Sequence, residues 1–168
     1  MRHLFANVSR MLTLEELAAD VEAGRIDTVV MAITDMQGRL MGKRLDAHAF
    51  VDGIARDGAE GCYYLLAVDV DMTPQPGFAM ASWDRGYGDF VFRPDLSTLR
   101  RATWLDGTVI CIADLEWHDG SPVRPSPRQI LKAQLARLEE RGWTARRCAS
   151  RISSGTTARR CAHPRGRS

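Results

Sequence analysis

An α+β fold of the β-grasp type, in which a small mixed sheet is crossed by one helix, is what this sequence predicts. Three observations carry the expectation. Strand-like and helix-like stretches follow one another in the order helix, hairpin, helix, strand, loop, two strands, helix. Gly, Pro and Asp punctuate the junctions between them. The composition, 45% hydrophobic and 26% charged over 168 residues, is that of a globular domain, which at this length buries about 68% of the surface its unfolded chain exposes.

Thr13 and Glu16 have capping-box spacing, and Leu14, Leu17, Ala18 and Val21 share one face. A short N-terminal helix should therefore run until Gly24 closes it in a left-handed conformation. Asp27 to Thr34 is β-branched and apolar, Asp35-Met36-Gln37-Gly38 is turn chemistry, and Arg39 to Leu45 resumes an extended run, which together predict a hairpin. Asp46 should cap a second helix through Phe50, Val51 and Ile54, ended by Gly58. Tyr63 to Val70 reads as the next strand.

The stretch from Asp71 to Gly88 holds two Pro and three Gly among aromatics. It reads as a long ordered loop whose Met, Phe, Trp and Tyr need a surface to pack on. Asp89 to Arg93 and Thr108 to Asp114 read as strands, with Pro94-Asp95 and Asp106-Gly107 as turns. Ser126-Pro127 should cap and start a final helix carrying Ile130, Leu131, Leu135 and Leu138, closed by Gly142.

Charge is unevenly spread. Seven Arg and no acidic residue lie between Thr144 and Ser168; the remaining 16 of the 23 basic residues face 21 acidic ones, so the body is net −5 within a chain of net +2. The tail has one large aliphatic residue, Ile152, and no strand pattern, and is expected to be disordered. Cys62, Cys111, Cys148 and Cys161 show no regular framework and read as reduced thiols. The N-terminus lacks a continuous apolar stretch of signal-peptide type, and no run approaches the ~18 residues of a membrane span, so a soluble, cytoplasmic chain is expected.

Several segments now acquire a common meaning: TDMQGRLMGKRL in the hairpin, FVDGIARDG, YLLAVDVDM, GYGDFVFRPDLSTLRRATW, ICIADLEWHDGSPV and the helix PRQILKAQLARLEERGW. Together, over about Asp27 to Trp143, they resemble the N-terminal domain of the glutamine synthetase family, in particular its glutamine-synthetase-like branches. The resemblance implies a β-grasp domain at 27–120, preceded by a helical segment at 1–26. It is followed by a linker and helix at 121–143 that lead to a catalytic domain, and then by the basic tail at 144–168. It also implies the chemistry of an ATP-dependent ligase, using magnesium or manganese, that joins glutamate to ammonia or an amine through γ-glutamyl phosphate. The tail does not continue the family pattern, whose metal-binding Glu-x-Glu strand should follow Gly142. A truncated or frameshifted product, inactive alone, is the expectation.

In this family the N-terminal domain lends a loop to the active site of a neighbouring subunit, and a loop Asp there helps bind and deprotonate ammonium. Asp69 is the first positional match and Asp71 the second. The family's Asp-Gly-Ser-Ser run is absent, which leaves room for an amine substrate. Trp83, Arg85 and Tyr87 could line the adjoining site. Beside these readings stand plainer ones: a turn-capping carboxylate, aromatics anchoring their own loop, and Arg100 and Arg101 on a solvated or intersubunit face rather than on phosphate.

His3, His48, His118 and His163 have no metal-ligand spacing, no Gly-rich phosphate loop occurs, and no cofactor-binding or metal residue is assigned to this chain. Family membership further implies a homo-oligomeric ring. No membrane partner is expected, nor nucleic acid, since no aromatics interleave the tail arginines. A β-grasp interaction module, or non-specific nucleic-acid binding through the tail, remains the alternative function.

Overall fold

In the computed structural model, which describes residues 10–80 and 88–145, the capping box forms as spaced. The Glu16 amide donates to Thr13 Oγ1 at 3.1 Å, and the Thr13 amide to Glu16 Oε2 at 3.0 Å. This stabilises α1 (Leu14–Glu22) by about 1 kcal/mol, and Gly24 follows it at φ 65°. The inward face of α1 is Leu17 and Val21, which are buried together with the sheet residues Met31, Phe90 and Val109 in one core cluster. Asp20, also buried on α1, pairs with Arg25 and with Arg101 of the sheet. Arg101, on an exposed face as expected, is thus also an intrachain anchor for α1.

The hairpin is β1 (Thr28–Thr34) and β2 (Leu40–Asp46), paired antiparallel from Thr28 opposite Asp46 to Thr34 opposite Leu40. Asp46 then accepts the Ala49 amide at 2.9 Å and starts α2, a helical run whose pieces are Ala47–Ala49, the π-type Phe50–Ile54 and Ala55–Asp57. The run ends at Gly58, φ 80°. It lays Phe50, fully buried, on the sheet, a burial that contributes about 1.5–3 kcal/mol.

The remaining strands are β3 (Ala59–Cys62), β4 (Asp89–Arg101) and β5 (Thr108–Glu116), and the sheet order is β2-β1-β5-β4-β3. Only β1 and β5 run parallel; the other pairs are antiparallel. The mixed sheet with a helix packed across it is the expected β-grasp-like arrangement.

Two elements differ from expectation. Tyr63 to Val70 is no strand: the ladder to β4 ends at Cys62 opposite Asp89, and Tyr63–Leu66 winds into a 3-10 turn. A short apolar run has no periodicity to separate strand from helical turn, and here Leu66 buries inward while the Tyr63 ring meets Phe90 and Trp117. Nor is Pro94-Asp95 a turn: β4 runs straight through it, Pro94 facing Ala113. Pairing with β3 stops at Phe92 and Met11 bridges β4 only at Arg100, so at Pro94 β4 is an edge on that side, the place where a strand tolerates proline.

Just past Pro94 the register shifts. Asp95 faces Ile112 and Arg100 faces Ile110, five steps along β4 against two along β5. Thr98 fills the gap in the ladder: its Oγ1 accepts the Ile112 amide at 2.8 Å and donates to the Asp95 carbonyl at 2.7 Å. Asp95 Oδ1 takes the Ser97 amide and hydroxyl, at 3.1 and 2.6 Å. The segment DLST is therefore a bulge built from its own side chains.

The last helix, α3 (Pro127–Glu139), begins at Ser126, whose side chain makes no capping hydrogen bond. Arg128 and Lys132 instead fasten α3 to Asp95 and Asp114 of the sheet. Its Ile130, Leu131 and Leu138 remain exposed, as does Trp143 beyond Gly142. No helix among the described residues is long and apolar enough to cross a membrane.

Candidate functional site

The two candidate aspartates lie on one small turn. The Gln75 amide donates to the Ala67 carbonyl at 2.7 Å, Val68 bridges Pro74, and the Asp69 amide donates to Thr73 at 3.0 Å. The Met72 amide closes the tip onto the Asp69 carbonyl at 3.2 Å. Met72 has φ 64°, a left-handed conformation uncommon for a residue with a side chain.

Asp69 sits at the neck of this turn and Asp71 at its tip. Both Asp69 oxygens are engaged locally: Oδ1 accepts the Asp71 and Thr73 amides, each at 2.9 Å, and Oδ2 accepts Gln75 Nε2 at 2.7 Å. Asp69 thus has the turn-capping geometry of an Asx motif. Asp71 is exposed, and among the described residues its carboxylate has no hydrogen-bond partner. It is the carboxylate of the pair free to meet a cation. Exposed Val70, Met72 and Phe78 surround it in sequence.

A second element grips the turn from the side. In the β1–β2 connection, buried Asp35 accepts the Gln37 and Arg39 amides through Oδ1, at 3.0 and 2.7 Å, and Arg39 Nε through Oδ2 at 2.7 Å. Burial pushes the Asp35 carboxyl up, but the Arg39 guanidinium and the two amides outweigh it and hold the group below the usual carboxylate range. With its Nε fixed, Arg39 reaches across: Nη2 donates to the Asp69 carbonyl at 2.9 Å and Nη1 to the Val70 carbonyl at 2.5 Å. Gln37 Nε2 donates to the Val68 carbonyl at 3.0 Å.

Sequence reasoning named Asp69 and Asp71 but not Asp35, Gln37 or Arg39, which read as turn chemistry alone. Trp83, Arg85 and Tyr87 lie outside the described residues, as do Cys148, Cys161, His163 and the tail from residue 146 onward. Cys62 and Cys111 are free thiols. Cys111 is buried, and that burial pushes its thiol up to about 11 although its contact with the Thr98 hydroxyl works the other way, so it is chemically quiet. A groove of about 530 Å³ between α1 and the end of β4 contains Arg10, Arg25 and Arg101, but each is already paired with Glu16 or Asp20.

No family model matches the chain. Among curated proteins it is 60% identical over 134 residues to the gamma-glutamylethanolamide synthetase GlnA4 of Streptomyces coelicolor, covering 80% of this chain and 29% of that protein. It is 32% identical over 123 residues to a glutamate–isopropylamine ligase of a Pseudomonas species, covering 73% of this chain and 27% of the relative. With the glutamine synthetase of Halobacterium salinarum it shares 31% over 145 residues, covering 81% and 28% respectively. The chain thus spans little more than a quarter of the length of these relatives. Among solved structures, apo GmaS superposes with TM-score 0.56 at 27% identity, over 74% of this chain and 26% of the other. A glutamine synthase homologue superposes with TM-score 0.58 at 19% identity, over 69% and 27%, a likeness of fold alone.

Proposed function

Because the chain belongs to the glutamine synthetase family, we propose that it supplies the N-terminal domain of a γ-glutamyl amide ligase whose acceptor is a small alkylamine or amino alcohol. The observation that carries this reading is the 60% identity to an ethanolamide synthetase; the isopropylamine ligase supports an organic amine over ammonia. Residues 27–120 serve as the β-grasp unit, sharing their core with α1, and 121–143 lead into the rest of the enzyme.

Asp71 is the residue that would meet the acceptor. An alkylamine is an ammonium ion near neutral pH, and its nitrogen has no lone pair to attack with until a proton leaves. A solvent-facing carboxylate at a loop tip can hold the cation and accept that proton as the nitrogen bonds to the acyl carbon. Asp69, with both oxygens engaged by its own turn, shapes the loop instead. Exposed Val70, Met72 and Phe78 support a tip that docks on a neighbouring subunit of a cytoplasmic ring.

ATP and a divalent metal would activate the glutamate carboxyl in a full-length enzyme. Among the described residues no group of three or more His, Cys, Asp or Glu could hold a metal ion. These residues do not fit the metal.

The test is a chimera in which residues 10–145 replace the homologous N-terminal segment of the Streptomyces ethanolamide synthetase. Phosphate release should depend on ethanolamine, and Asp71→Asn should lower it by about 10²-fold or more. An inactive chimera, or an Asp71→Asn chimera at the unmodified rate, would sink the proposal. The 168-residue chain alone is expected to release no phosphate.

A further inference from the structure

We infer that Arg39 is a positioning residue for the Asp71 loop, with Asp35 and Gln37 as its support. The carbonyls of three consecutive residues, Val68, Asp69 and Val70, all accept from side chains of one five-residue connection about thirty positions upstream. Backbone carbonyls at a loop base normally face water or their own turn. Here Arg39 occupies two of them while its Nε is held by a buried carboxylate, so the planar fork has one orientation available to it.

The consequence falls on Asp71. Its peptide nitrogen is bonded to the Val70 carbonyl carbon, and its amide donates to Asp69 Oδ1. Arg39 fixes that carbonyl and the Asp69 carbonyl before it. The backbone entering Asp71 is therefore located by the β1–β2 hairpin, a rigid element of the sheet, and only the side chain is left free. That is the arrangement a carboxylate needs to act at a fixed point beyond its own domain. This role rests on the ligase reading, but the latch itself does not.

Lysine separates the two. Arg39→Lys keeps a cation beside Asp35 and so keeps the hairpin, but one ammonium cannot hold Asp35 and two carbonyls at once. In the 168-residue chain, amide exchange at Asp71, Met72 and Thr73 should speed by at least about tenfold in Arg39→Lys and Arg39→Ala. Val109 and Ile110 in β5 should be unchanged. In the active chimera, Arg39→Lys should raise KM for ethanolamine and leave KM for glutamate unaltered, a split that loss of folded enzyme would not produce. A folded Arg39→Lys chain whose loop exchanges at the unmodified rate overturns the latch. A loosened loop with unchanged KM for ethanolamine overturns the positioning role. If the chimera is inactive with Arg39 intact, the ligase reading fails and the exchange rates decide the latch by themselves.

Discussion

Thr98→Val should destabilise the protein by about 2 kcal/mol although it keeps the shape of the side chain. The Thr98 hydroxyl is the acceptor for the Ile112 amide at 2.8 Å, at a point where the β4–β5 ladder has slipped and no carbonyl takes its place. Ile112 is 9% exposed, so water does not readily substitute, and an orphaned buried amide costs about 1–3 kcal/mol. The other lost bond matters less, because the Asp95 carbonyl still receives the Cys111 thiol at 3.4 Å. Two kcal/mol corresponds to a fall in Tm of roughly 6–10 °C for a domain of this size. Urea unfolding followed by circular dichroism measures it, with Thr98→Ser, which retains the hydroxyl, expected within about 1 kcal/mol of the unmodified protein. If Thr98→Val lies within about 0.5 kcal/mol of the parent, the hydroxyl is not replacing a ladder bond and the account of the bulge is wrong.

Gly42→Ala should cost about 1–3 kcal/mol by urea titration, because a Cβ there would stand 1.9 Å from the Met31 carbonyl oxygen; unaltered stability would mean β1 and β2 are not so closely apposed. Acid should weaken the fold in a defined window. Burial raises the Asp95 carboxyl, but Ser97 and the Arg128 charge prevail and hold it low, as Arg39 holds Asp35. Depressed carboxylates give stability that is present above their unfolded value of about 4 and lost as pH falls through the folded one. Urea midpoints should be level in this respect from pH 7 to 5 and drop below about 4, with a shallower drop in Asp95→Asn; equal slopes would count against it. Cys111, pushed up to about 11, should alkylate on the order of 100-fold more slowly than an exposed thiol at pH 8, and peptide mapping showing rapid labelling of folded protein would contradict its burial.

The elements legible in the sequence are those whose signals are local. Thr13 and Glu16, Asp46, Gly24 and Gly58 each act on neighbours within four residues, and each appears where its chemistry put it. Tyr63 to Val70 was ambiguous because its fate depended on where β3 ran out of partner, which is set by where β4 begins, at Asp89. Pro94 misled for a similar reason: whether proline breaks a strand depends on which side of it is an edge. For the candidate loop, the type of residue at 69 and 71 was readable, but which of the two carboxylates the turn engages was not. Arg39 was invisible as a loop residue because its partners lie thirty positions away and are backbone atoms, which have no identity in a sequence.

The parallel pairing at the centre of the sheet imposes an order on biosynthesis. Thr28 lies opposite Thr108 and Ala32 opposite Ile112, so the hairpin, complete at Asp46, must wait for about sixty further residues before its other neighbour begins at Thr108. Closing so long a span is slow relative to forming the hairpin. During that interval Val29, Met31 and Ile33, each no more than 1% exposed in the finished fold, lack the strand that seals them. A nascent chain stalled before β5 would present an unpaired, apolar strand edge to its surroundings, the condition in which chaperone capture or aggregation competes with folding.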